Sequence, residues 1–263
     1  MIPSVRATWY RALIESDPQA KCARVAALAA PTDEAPCEML ATRIPGRPLR
    51  PLLISPREVP HRGLGTPEGR AALVHAVAHI EFNAINLALD AAWRFEGLPQ
   101  AYYADWISVA HDEARHFQLL RTRLQQLGYD YGDFPAHNGL WEAAEKTAHD
   151  PLVRMALVPR VLEARGLDVT PGMILRLREM RDLETVAILE TILAEEVRHV
   201  AIGSHWFRWC CEQRGLAPDQ TFRSLIVEHR AQIKPPLNRA ARIAAGFEEA
   251  ELAGIERSTA SRA

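Results

Sequence analysis

Apolar residues recur at helical spacing through Leu73, Val77, Ile80, Ala84 and Leu87, predicting a long helix from Thr66 to about Phe95. Thr66-Pro67-Glu68 supplies a cap followed by proline at the first helical position, and Gly97-Leu98-Pro99 ends the run. A second helix is predicted from about Gln100 to Leu127, stopped by Gly128. The turn-rich stretch 128–138 leads to a third, from about Leu140 to Gly166, with kinks at Pro151 and Pro159. After Asp168-Val-Thr-Pro-Gly a helical stretch runs from about Met173 to Arg214, interrupted near Arg181-Asp182 and ended by Gly215. Two shorter helices, around 218–231 and 236–252, complete the pattern, and no segment alternates with the period of a strand.

Ahead of Thr66 the character is different. Residues 1–30 predict one or two short helices broken at Asp17-Pro18. Eight of the 18 prolines then fall between Pro31 and Pro67, so residues 31–66 are expected to form an extended arm wrapped over the body. The fold class is all-α: four long helices with a longer crossing in the middle, the connectivity of a ferritin-like four-helix bundle. It carries the arm and short helices at 1–66, the bundle at 67–214, and extra C-terminal helices packed on the bundle at 215–263.

Charge narrows the function. With 31 basic and 33 acidic residues the chain lacks the basic excess of a nucleic-acid binder. Arginine supplies 28 of the 31 cations, Lys21, Lys146 and Lys234 being the exceptions, which reads as compositional bias. No run of 18 apolar residues suggests a membrane span, and the first twenty residues carry no apolar leader. Cys22, Cys37, Cys210 and Cys211 form no Cys-x-x-Cys pair, as expected of reduced thiols in a cytoplasmic protein.

The chemistry lies in two Glu-x-x-His pairs, Glu113/His116 and Glu196/His199. Spacing of three sets a carboxylate and an imidazole on one helix face, able to grip one metal ion. A third such pair, Glu58/His61, falls in the proline-rich arm and is assigned to chance. The other two sit in matching pentads, Asp112-Glu-Ala-Arg-His116 and Glu195-Glu-Val-Arg-His199. Composition alone would produce about 0.01 such pentads. Each is also preceded by a glutamate on the helix before it, Glu81 and Glu163. The chain therefore repeats the order Glu, turn, acid-Glu-x-Arg-His. Four buried carboxylates need cations, and two divalent metals supply four charges. Mixed oxygen and nitrogen ligation suits iron or manganese better than structural zinc.

This ligand set resembles that of the ferritin-like di-iron carboxylate proteins, in which two helices each give a Glu and two others each give Glu-x-x-His. The resemblance implies Glu81, Glu113, His116, Glu163, Glu196 and His199 as metal ligands. The acid preceding each pair is similar to that of bacterial multicomponent monooxygenases and ribonucleotide reductase small subunits. By that likeness Asp112 would orient His199 and Glu195 would orient His116, with Arg115 and Arg198 neutralising nearby acids. At closer range, Ala78-His-Ile-Glu-Phe-Asn-Ala-Ile, Tyr131-Gly-Asp-Phe-Pro-Ala-His-Asn-Gly-Leu-Trp-Glu and Leu157-Val-Pro-Arg-Val-Leu-Glu-Ala-Arg-Gly-Leu-Asp are similar to a bacterial ferritin-like family of unknown function. A more distant likeness is to tRNA-hydroxylating di-iron enzymes, which keeps a tRNA partner open.

The expected function is a di-iron oxidoreductase, an oxygenase or oxidase that activates O2 or peroxide, with dimanganese or mixed Mn/Fe as alternative cofactors. Its substrate would be a small molecule or modified nucleoside. An external electron donor is expected because no flavin or nicotinamide fingerprint occurs, and a homodimer is admitted. Iron handling with ferroxidase or peroxide-detoxifying activity is one alternative, although no Cys-x-x-Cys pairs serve a rubredoxin centre. A non-catalytic, metal-stabilised bundle is the other. His75 and His79 are expected in packing or hydrogen-bonding roles, since His79 lies about 200° round the helix from Glu81. His111 is likewise off the ligand face. Tyr102, Tyr103 and Trp106 are expected in the core, and Tyr129, Tyr131, Phe134, His137 and Trp141 in a wrapped structural loop.

Overall fold

A computed structural model describes residues 5–29 and 44–260. Among them it contains eleven α-helices and one π-helical turn. The β pairing in this part of the chain is an isolated parallel bridge between Leu53 and Ala136. The fold is all-α. It divides into two compact units, residues 1–142 and 143–263, the division falling inside helix α5 (Gly139–Lys146). Part of the predicted arm, residues 31–43 with Cys37, lies outside the described residues.

In the first unit, α1 (Val5–Leu13) and α2 (Pro18–Ala26) separate at the expected Asp17-Pro18, where the Asp17 carboxylate accepts the Ala20 N–H at 2.7 Å. Helices α3 (Pro67–Arg94) and α4 (Gln100–Gln126) are joined by the short 95–99 link and pack as the main helix pair. Thr66 caps α3 by accepting the Gly69 N–H at 3.0 Å. Helix α1 lies on α3 and α2 on α4. Between them Trp9 stacks on Tyr103 with ring centroids 5.8 Å apart, and Tyr10 meets Trp93 at 4.9 Å. Tyr102, Tyr103 and Trp106 are thus core aromatics, as their spacing suggested. Helix α3 is long and apolar enough to cross a membrane, but 78% of the qualifying window is buried here, as in a core helix.

The segment 44–66 runs without helix against this unit. Gly46 approaches the end of α1 so closely that a Cβ would lie 2.0 Å from the Ile14 carbonyl oxygen, which only glycine permits. The Ile54 N–H donates to Ala136 O at 2.9 Å and the Ala136 N–H to Leu52 O at 3.0 Å, tying the arm to the loop after α4. That loop is held in turn by the two histidines of α3. His75 Nε2 accepts the Gly132 N–H at 3.0 Å, and His79 bonds the Tyr131 hydroxyl at 2.9 Å and the His137 carbonyl at 3.0 Å. A carbonyl can only accept, so His79 Nε2 carries the proton and Nδ1 accepts from Tyr131. Burial holds both rings near pKa 4, hence neutral. Their role is structural.

Lys21 is the surprise of this unit. Its ammonium is fully buried, donating to Leu13 O at 2.8 Å and Asn86 Oδ1 at 2.6 Å, both neutral acceptors. Burial pushes its pKa down to about 7. In the unfolded chain the same group titrates near 10.4, so between those limits the unfolded state binds more protons and stability rises with pH. Below about pH 7 the penalty is constant. Relative to Lys21→Met, the wild-type protein should gain up to about 1.4 kcal/mol per pH unit between pH 7.5 and 9.5 in urea unfolding. Parallel pH profiles for the two proteins would contradict this.

The second unit holds α6 (Pro151–Leu157), a π-helical turn (Val158–Glu163), α7 (Ala164–Glu179), α8 (Leu183–Gln213), α9 (Pro218–Glu228), α10 (Arg239–Ala244) and α11 (Glu249–Ala260). Three predicted elements are corrected. The expected third helix is broken into pieces, and the break expected at 168–172 is absent, with Pro171 lying inside α7. Asp168 starts no new helix because its carboxylate is taken by Arg242, at 2.9 and 2.7 Å, and by the Asn238 N–H. The chain turns instead at Arg181, with φ +59°, and Asp182 caps α8 by accepting the Thr185 N–H. The predicted 236–252 helix is split by Gly246, at φ +88°, into α10 and α11. Helix α8 packs on α6, the π-helical turn and α7.

Candidate metal centre

Helix α3 presents Glu81 from its middle and α4 presents Glu113 and His116 one turn apart. The α3–α4 packing brings the three together. Each places one ligand atom within 4.8 Å of the others. His116 Nδ1 lies 3.2 Å from Glu81 Oε2 and 3.5 Å from Glu113 Oε2. Exposure is 4% for Glu81, 2% for Glu113 and zero for His116, so water scarcely reaches them. Two buried carboxylates converging on one imidazole favour a positive charge between them, supplied by the protonated ring or by a metal ion that displaces its proton. Burial alone lowers the His116 pKa, but the bonds to Glu113 and Glu81 outweigh it and hold the ring up to about 11. This cluster can hold a metal ion.

In the second unit Glu196 and His199 lie one turn apart on α8, with His199 Nδ1 3.3 Å from Glu196 Oε1. His199 is fully buried and Glu196 half-buried. Glu163 closes the π-helical turn and is also half-buried. The six residues singled out by the sequence repeat therefore fall as a triad in one unit and a Glu-x-x-His pair plus Glu163 in the other. Asp112 accepts a hydrogen bond from Arg115 at 3.1 Å within α4, and Glu195 is half-buried beside Glu196. Glu58 of the third pair sits in the exposed arm, where it accepts the Ser55 N–H.

Sequence spacing missed two further features. Arg160, in the π-helical turn, is buried under the rings of Phe222, Phe247 and Phe207 at 4.2, 4.6 and 4.7 Å, with Glu251 of α11 at 2.5 Å. It also missed a cleft on the other face of α3 from Glu81, lined by Arg47, His79, Phe82, Asn83, Asn86 and Tyr131. Neither leaves a periodic signal, because each depends on residues far apart in the chain. Cys22, Cys210 and Cys211 are buried free thiols, and burial raises Cys22 and Cys210 to about 11, so they are inert at neutral pH.

The chain is similar to a Haemophilus influenzae (strain ATCC 51907 / DSM 11121 / KW20 / Rd) protein named "Uncharacterized protein". It is 51% identical over 215 residues, 78% of this chain and 74% of its own length. No solved structure matches. The family described as "Protein of unknown function (DUF455)" matches residues 14–253, which include every residue of both ligand sets. The chain belongs to that family.

Proposed function

We propose that Glu81, Glu113 and His116, with Glu163, Glu196 and His199, bind two metal ions, and that the protein is a ferritin-like di-iron oxidoreductase using O2 or peroxide. Manganese is the alternative metal. The observation that carries this reading is the buried Glu81–Glu113–His116 cluster, whose ligand atoms are brought within 4.8 Å of one another by two helices. The donor set fits: two oxygen ligands and one nitrogen per triad leave coordination positions open, unlike a closed structural zinc site. The second Glu-x-x-His pair repeats the same chemistry on α8.

An iron pair held by these residues would supply the redox chemistry needed to activate O2 or peroxide. The residues do the rest. Glu81 and Glu113 offset the metal's positive charge, and their burial keeps bulk water from competing for it. His116 contributes a neutral nitrogen once its proton has left. The rigid α3–α4 packing fixes the spacing of all three. Small-molecule oxidation is the reaction class, with electrons from an external donor. Protein loaded with Fe(II) under anaerobic conditions should, on exposure to air, consume O2 in proportion to the chain concentration and faster than the same iron free in buffer. Uptake no faster than that of free iron would remove the oxidoreductase reading. Iron accumulating far beyond two per chain would redirect it to storage.

A further inference from the structure

The π-helical turn that carries Glu163 has a visible cause. Pro159 lacks an amide proton, and the Ala164 N–H bonds Pro159 O, five residues back, instead of following the α-helical pattern. Across from it, Gly203 of α8 leaves room for the ring: a Cβ there would lie 2.3 Å from Pro159 Cβ and 2.4 Å from Cγ. Gly203 stands one helical turn after His199, and Pro159 one turn before Glu163. The contact therefore fixes the Glu163 turn against the His199 turn. In the same turn, Arg160 is clamped by Glu251 and three phenylalanine rings. Helix geometry alone offers no reason for the glycine, because alanine is the better helix former and Gly203 is buried in the middle of α8.

We propose that Pro159 and Gly203 are positioning residues that set the direction of the Glu163 carboxylate through the π-helical turn. The metal role of that direction rests on the reading of Glu163 as a ligand; the geometry of the turn does not. Gly203→Ala forces the turn away from α8. The double variant Pro159→Gly/Gly203→Ala leaves only the residue-159 Cα, 3.7 Å from the new Cβ, and restores the missing amide, so it folds with the turn drawn toward a regular α-helix and Glu163 rotated.

Two measurements on each variant test this. In metal-free protein, the carboxyl carbon resonance of Glu163, assigned with Glu163→Gln, should move in both variants while thermal midpoints in the double variant stay at or above wild type. In anaerobic Co(II) titrations, both should bind one of two equivalents at least tenfold more weakly, with altered ligand-field bands for that equivalent. An unmoved Glu163 resonance in the double variant overturns the proposal whatever the metal does. Wild-type affinity and bands for both equivalents in the double variant overturn it as well. If wild type itself takes up no Co(II), the metal reading fails, and a shifted Glu163 resonance still upholds the positioning role.

Discussion

Replacing Arg160 by alanine is expected to destabilise the protein by about 3–5 kcal/mol, among the largest effects of any single substitution here. The guanidinium is 2% exposed and faces Glu251, itself 6% exposed, at 2.5 Å. Truncation leaves that carboxylate buried without its counter-charge and opens a void among Phe207, Phe222 and Phe247. The pair as a whole contributes far less than the loss of one member suggests, because desolvating two charges offsets most of their attraction. Arg160→Leu/Glu251→Leu should therefore recover most of the stability lost in Arg160→Ala. Urea unfolding of the three proteins decides this. A single variant within about 1 kcal/mol of wild type would show that the clamp is not needed for the fold.

The second large effect is a stability gain that depends on metal. A ligand that binds only the folded state stabilises it by about 2.7 kcal/mol when free ligand is 100 times Kd. For a chain of this size that raises the thermal midpoint by about 5–10 °C. Wild-type protein should show this gain with Fe(II) or Mn(II) under anaerobic conditions. Glu113→Gln should lose it, because the amide keeps the shape of the carboxylate but not its charge. The metal-free variant should be somewhat less stable than metal-free wild type, since Glu113 helps hold the buried His116 imidazolium. The metal-induced shift is therefore read for each protein against its own metal-free midpoint. Equal metal-induced shifts in both proteins would remove Glu113 from the ligand set.

The helices were legible in the sequence where one local signal had no competitor. Thr66-Pro67 started α3, Gln100 began α4 and Asp17-Pro18 separated the first two helices, all as expected. The reading failed where a side chain had a distant partner. Asp168 looks like a cap from its neighbours, but Arg242, 74 residues later, takes its carboxylate, and the helix runs on through Pro171. The candidate site was legible for a different reason: a repeated pentad is a pattern within the chain and needs no distant information. The convergence of Glu81 with Glu113 and His116 follows from the α3–α4 pairing that a short link enforces. The buried Lys21 and the π-helical turn were not legible. The first depends on Leu13 and Asn86 closing around an amine, and the second on an empty Cβ position at Gly203.

The most direct test of the central claim is an anaerobic Fe(II) equilibrium dialysis of wild type, Glu113→Ala and His199→Ala, with iron counted per chain. Two irons per wild-type chain and no stoichiometric pair in either variant is the expected result. A full complement in both variants, or a wild-type chain that retains no iron, would contradict it.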